Sequence, residues 1–266
     1  MCSEKPTDKH SAPLKVLAFH KLLARLSFGS TNYSPKRLDR LLSRLLDKGY
    51  ELSSYDKAIE APEKRLVLTF DDGYAHLTGC LPQLIEKYGL TPVVFVPTAY
   101  LGRSNTWDYS NLFRTDSHLD RAGIKKLSAA GVEFGSHGHS HQPLTRLSDS
   151  AAGEELSRSK QILEDITGKE VAMLSYPFGR VDRRIIDAAQ STGFACAFTM
   201  AFPTQNDHAL ARGRYPVYFY DTPFTVGQKL SGGRFYRFEQ FKATATNRLS
   251  GGTSLYYRLI GKRRES

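Results

Sequence analysis

Short, densely apolar runs alternate with stretches of helical periodicity along most of this chain, the pattern of an α/β domain. The first run covers 15–20. Ser34 and Pro35 then supply an N-cap and a proline suited to the first helical turn. Leu38, Leu41, Leu42, Leu45 and Leu46 follow at i, i+3, i+4, i+7 and i+8, one apolar stripe, and Gly49 ends it. The run 65–70 is almost wholly apolar, as a strand covered on both faces should be. The pattern goes on to predict a helix around 81–88, a strand at 92–96 and a long loop over 97–118. A helix near 120–130, a strand at 132–136 and a helix near 149–167 follow. A strand at 171–176, a helix at 182–192 and a strand at 194–199 complete the alternation. Beyond about residue 200 the rhythm weakens, with glycine pairs at Gly232-Gly233 and Gly251-Gly252. The expected organisation is an N-terminal extension (1–14), one barrel-like α/β domain (15–208) and a C-terminal part (209–266) that completes or flanks it.

Composition narrows this picture only slightly. A chain of 266 residues buries a full core without staples. At 40% hydrophobic and 24% charged it is neither collagenous, coiled-coil nor wholly disordered. Cys2, Cys80 and Cys196 have no metal-like spacing and read as free thiols of a reducing compartment. The first ten residues hold no apolar leader core, and no run approaches the length of a spanning helix. The expected location is therefore cytoplasmic, or peripheral on the cytoplasmic face of the membrane. Charge adds more. The net value is +10, and residues 209–266 carry eleven Lys and Arg against Asp221, Glu239 and Glu265. Such a block is either a solvated basic face or an attractor for an anionic membrane or an acidic glycan. For nucleic acid only charge argues, with no zinc-finger or RNA-recognition signature beside it.

In parallel α/β folds function collects where strands end. Here those positions hold His20, then Asp71-Asp72-Gly73, Thr98, His137-Gly138-His139-Ser140-His141 and Pro177-Phe178-Gly179. Asp-Asp-Gly is good turn chemistry, but two adjacent carboxylates are best tolerated beside a cation. His137 and His141 share a face if their segment turns helically; an extended segment would align all three histidines. With Asp72 the pair makes a His-His-carboxylate set suited to activating water. Trp107, in the long loop, either packs that loop on the barrel or stacks on a sugar. Phe235, Tyr236, Phe238 and Phe241 interleave with Arg234, Arg237 and Lys242, as a helix stripe packed on the barrel or as a basic, aromatic membrane-facing surface.

Thr69-Phe70-Asp71-Asp72-Gly73, the segment Ser136–His141 and Tyr176-Pro177-Phe178-Gly179 resemble, in order and spacing, the first three motifs of the polysaccharide deacetylase (NodB-homology, carbohydrate esterase 4) family. The resemblance covers roughly residues 15–200. It implies a distorted or incomplete (β/α) barrel holding one divalent metal, usually zinc, on Asp72, His137 and His141. It makes Asp71 the general base, gives the backbone N–H of Tyr74 to the oxyanion, and puts Pro177 and Phe178 beside the substrate. The implied reaction removes N-acetyl or O-acetyl groups from a carbohydrate, on a lipid- or nucleotide-linked sugar or a polysaccharide. Two departures stand out. Ser175 occupies the place where the family often has an arginine that orients the base, so Asp71 needs another partner. The late Leu-x-His motif that supplies the general acid is not recognisable, which leaves His20, His139 and His208 as candidates. These gaps keep open a second reading, a catalytically impaired carbohydrate- or lipid-binding protein of the same fold.

Overall fold

The structure is a computed structural model that describes residues 13–23, 30–105 and 116–246. Trp107, Cys2 and Gly251-Gly252 lie outside the described residues. Within them the chain forms β1 (Lys15–Phe19), α1 (Pro35–Leu46), β2 (Glu51–Leu52), α2 (Tyr55–Glu60) and β3 (Arg65–Phe70). It continues through α3 (Leu77–Tyr88), β4 (Val93–Val96), α4 (Arg121–Ala129), β5 (Glu133–Ser136), α5 (Asp149–Thr167) and β6 (Met173–Ser175). The last elements are α6 (Arg183–Ser191), β7 (Cys196–Phe198), β8 (Tyr215–Pro216) and α7 (Pro223–Ser231), with residues 236–246 also helical.

The strands run parallel in the order β7-β6-β5-β4-β3-β1-β8, with β2 paired to the start of β3. Arg212 bridges to Phe198 of β7, and three residues later β8 begins its pairing with β1. One short segment thus links the two ends of the curled sheet, giving the distorted (β/α) barrel that the family resemblance implies. The helices coat the outside. The stripe of α1 buries Leu38, Leu41, Leu42 and Leu45, its Ser34 side chain accepts from the Arg37 N–H, and Leu46 lies at the exposed margin. Gly89 and Gly168, both left-handed, close α3 and α5.

Period-two alternation sorts the strand side chains into two cores. Leu66, Leu68 and Phe70 of β3 face the helices, while Val67 joins Val16, Val93, Phe95, Cys196 and Phe198 inside the barrel. Gly135 of β5 has the inward parity too. A Cβ there would lie 2.4 Å from the Phe95 ring, so only glycine lets that bulky ring fill the barrel. Cys80 and Cys196 are free thiols, as expected for the described cysteines. The short elements β2, α2 and β8 have too few turns or alternations to stand out in the sequence. They form because neighbours already in place cover them.

Candidate active site

The same alternation predicts what tops the barrel. Continuing the inward parity past each strand end gives His20 after Val16 and Ala18, Asp71 after Val67 and Thr69, His137 after Gly135, and Ser175 at the end of β6. Asp71, His137 and Ser175 are buried, while His20 is partly exposed at the rim.

Asp72 breaks the alternation. As the residue after Asp71 it would point outward, but its φ is +68°, and the turned backbone brings a second carboxylate to the mouth. Gly73 follows at φ +54°, where a Cβ would meet Val96 Cγ2 at 2.9 Å. His118 Nδ1 donates to the Asp72 carbonyl at 2.7 Å and pins this turn from below. His141 (φ +55°) and Phe178 (φ +60°) share the left-handed conformation. Together with Asp72 they are the only non-glycine residues with positive φ among those described, and all three line one site. Strain concentrated in this way is typical of functional loops. The loop 137–141 is not a helical turn. Gly138 (φ +72°) and the bend at His141 fold it back instead, so the i,i+4 spacing brings the imidazoles together by a different route.

Asp72 Oδ1 lies 3.6 Å from His137 Nε2 and 3.3 Å from His141 Nε2, and one ligand atom from each residue falls within 4.8 Å of the others. His137 Nδ1 donates to the Ser175 carbonyl at 2.7 Å, which leaves its Nε2 lone pair aimed at the site. Burial pulls the His137 pKa down to about 4, so this imidazole is neutral at pH 7. Burial would raise the Asp72 carboxyl, but a hydrogen bond and charge from His141, with His20 and His137 behind, keep it well below the usual range. One ionised carboxylate and a neutral imidazole, joined by a second imidazole, form a donor set that fits a divalent transition metal.

Asp71 has the partner its motif lacks. Arg214, fully buried, donates Nη1 to Asp71 Oδ1 at 2.8 Å and Nη2 to Oδ2 at 2.7 Å, a bidentate pair. Its other N–H groups reach Thr69 Oγ1 (3.0 Å), Ser175 Oγ (2.8 Å) and the Thr199 carbonyl (3.2 Å). Ser175 Oγ lies 3.2 Å from Asp71 Oδ2, so the small side chain makes room for the guanidinium and bonds to it. Burial alone would raise the Asp71 carboxyl; the Arg214 charge and hydrogen bonds, with smaller help from His137 and His20, hold it at about 2. Arg214 stands 143 residues from Asp71 in a stretch whose charge suggests a solvated face, and only the closure of the sheet by β8 reveals its role. Lys229 is likewise buried, paired with Asp221 at 2.7 Å.

The remaining candidates separate clearly. His20 is near enough to Asp71 and Asp72 for its positive form to lower both carboxyls. His139 turns away, its Nδ1 on Thr98 Oγ1 at 2.8 Å and its charged neighbours Arg158, Glu155 and Glu154 on α5. His208 is exposed and caps the turn at Leu210. Tyr74 is buried against His118, ring centroids 5.1 Å apart. The bonds bridging this pair run through Ala75 N and Gly73 O, so the Tyr74 N–H faces away from the His118 segment. Pro177 is buried, and the Phe178 ring lies 4.9 Å from that of His141. Trp107 lies outside the described residues.

Known proteins share this fold. The deacetylase PplD of Streptococcus pyogenes, solved with acetate, superposes with a TM-score of 0.71 at 18% identity, over 83% of this chain and 99% of its own. YxkH of Bacillus subtilis, named among the polysaccharide deacetylases, is 25% identical over 205 residues, 74% of this chain and 66% of YxkH. A chitin deacetylase of Arthroderma benhamiae is 31% identical over 101 residues, 38% of this chain. The chain thus spans just under two thirds of the first relative and 24% of the second. Residues 58–197, more than half the chain, match the family described as Polysaccharide deacetylase, and that stretch carries the carboxylate pair, both imidazoles and Ser175. On that match, the chain belongs to the polysaccharide deacetylase family.

Proposed function

We propose that this chain is a metal-dependent hydrolase that removes N-acetyl, or less often O-acetyl, groups from a carbohydrate. The observation that carries the reading is the Asp71 carboxylate, kept ionised by Arg214, beside the donor set of Asp72, His137 and His141. A divalent ion held by those three residues, zinc in keeping with the family, would supply Lewis-acid polarisation of the acetyl carbonyl and a more acidic water. Asp71 takes the proton from the attacking water as general base. The Tyr74 N–H is offered to the oxygen that becomes negative. His20, at the end of β1 next to β3, would return a proton to the leaving amine. Pro177 and Phe178 form the wall against which the acetyl group rests. The substrate class follows the family: an acetylated sugar, whether polymeric, lipid-linked or nucleotide-linked.

Elemental analysis of the purified chain is expected to find about one divalent transition metal per molecule, and acetate release from N-acetylated chitooligosaccharides or acetylated xylan is expected to require it. In His141→Ala both should be lost with the thermal unfolding profile kept. A chain that takes up no metal, or a variant indistinguishable from wild type, would refute the reading. His20→Gln should lower kcat by about 100-fold at unchanged metal content. The loss should fall on kcat and leave KM for the acetylated sugar within about twofold, which separates a proton donor from a substrate contact. If KM rises instead with kcat kept, the acid is another group.

A further inference from the structure

The outer surface between Phe219 and residue 246 reverses ordinary burial. Of seven large hydrophobic side chains exposed among the described residues, five are phenylalanines of this stretch: Phe219, Phe224, Phe235, Phe238 and Phe241. Phe238 and Phe241 are 58% and 70% exposed, while Glu239 on the same helical segment is only 3% exposed. The rings do not scatter. Phe224 contacts Phe235 with centroids 6.3 Å apart, Phe219 contacts Tyr220 at 5.3 Å, and Lys242 lies over both Tyr220 and Phe238. The barrel therefore covers Tyr236, Glu239 and Ala243 of this segment and leaves Phe238 and Phe241 outward, so of the interleaved aromatics Tyr236 packs on the core while the phenylalanines do not. An apolar cluster of this kind marks an interaction surface.

Charge decides what covers it. The two acids of the stretch are internal, Asp221 paired with Lys229 and Glu239 with Lys242. Arg234 and Arg237 are exposed beside the rings. A second copy of the same face would set like charges together. We infer that this surface docks on an anionic lipid bilayer, the phenylalanines entering the acyl boundary and the arginines meeting the headgroups. Phe219 follows β8, next to β1 in the sheet, so the docked face adjoins the rim that carries His20.

The test is co-sedimentation of the full chain with vesicles of phosphatidylcholine alone or with 30 mol% (roughly one lipid in three) phosphatidylglycerol, which does not depend on catalysis. Binding is expected only to the anionic vesicles and about tenfold weaker in Phe238→Ser/Phe241→Ser, whose exposed positions leave the fold unchanged. Phe219→Ser/Phe224→Ser should weaken it similarly. Absence of vesicle binding overturns the inference. So does binding that salt abolishes and neither double variant affects, since basic residues alone would then account for it. Self-association, or binding to a DNA oligonucleotide, that disappears with the same phenylalanines while vesicles are ignored would assign the surface to another occupant.

Discussion

Asp71→Asn is expected to lower kcat/KM for acetate release by about 10²- to 10⁴-fold while leaving one metal per chain. The substitution keeps size and shape, so the ligand set of Asp72, His137 and His141, which does not include Asp71, should remain assembled. What goes is the group that accepts the proton. The amide also presents N–H hydrogens to a guanidinium that offers only donors, so one of the two bonds to Arg214 is lost. Parallel metal analysis and initial rates separate the alternatives. Near-normal activity would remove Asp71 from the chemistry, and loss of metal together with activity would make it a ligand instead of a base.

Arg214→Met should act on stability and on pH dependence together. Removing the guanidinium leaves the Asp71 carboxylate buried without its main counter-charge, a change worth about 3–5 kcal/mol when one partner of a buried pair is deleted. In the wild-type chain the folded carboxyl titrates at about 2, below its ordinary value of 3.8. The stability it contributes is therefore fully present above pH 3.8 and is lost as pH falls toward 2. In the variant burial dominates and raises the carboxyl above its ordinary value. The deficit relative to wild type should be largest near neutrality and shrink on acidification. Asp71 then needs a higher pH to act as a base, so the acid limb of the activity profile should move upward. Arg214→Lys should recover the charge but not the two-point hold, and hence only part of the effect. Urea unfolding of the single variants and of Arg214→Met/Asp71→Asn gives the coupling, and the double variant should regain some of the lost stability. Additive effects with an unshifted pH profile would reduce Arg214 to a packing residue. If the coupling holds, the vacancy at Ser175 no longer favours an inactive chain.

Much of this molecule was legible before any coordinates. Local burial period and capping chemistry placed β1, α1, β3 and α5, because a stripe of leucines or an apolar run reports its own environment over a few residues. Asp72, His137 and His141 were legible because strand ends set them within two short segments. Their common target in space followed from the parallel order β3-β4-β5. Other features depend on what a residue meets far along the chain. In the sequence three histidines were equal candidates for the acid; the inward parity of β1 puts His20 at the mouth, and the loop after β5 turns His139 toward α5. His118 gave no signal, since it acts on the site through a hydrogen bond to a backbone carbonyl. The phenylalanines of 235–241 read in the sequence as a packed stripe, but Glu239, not they, faces the barrel. Arg214 shows the reason most plainly. A buried carboxylate needs a cation, and the sequence announces that need at Ser175. Any strand that reaches the same point in space can meet it, so only the tertiary structure decides which one does.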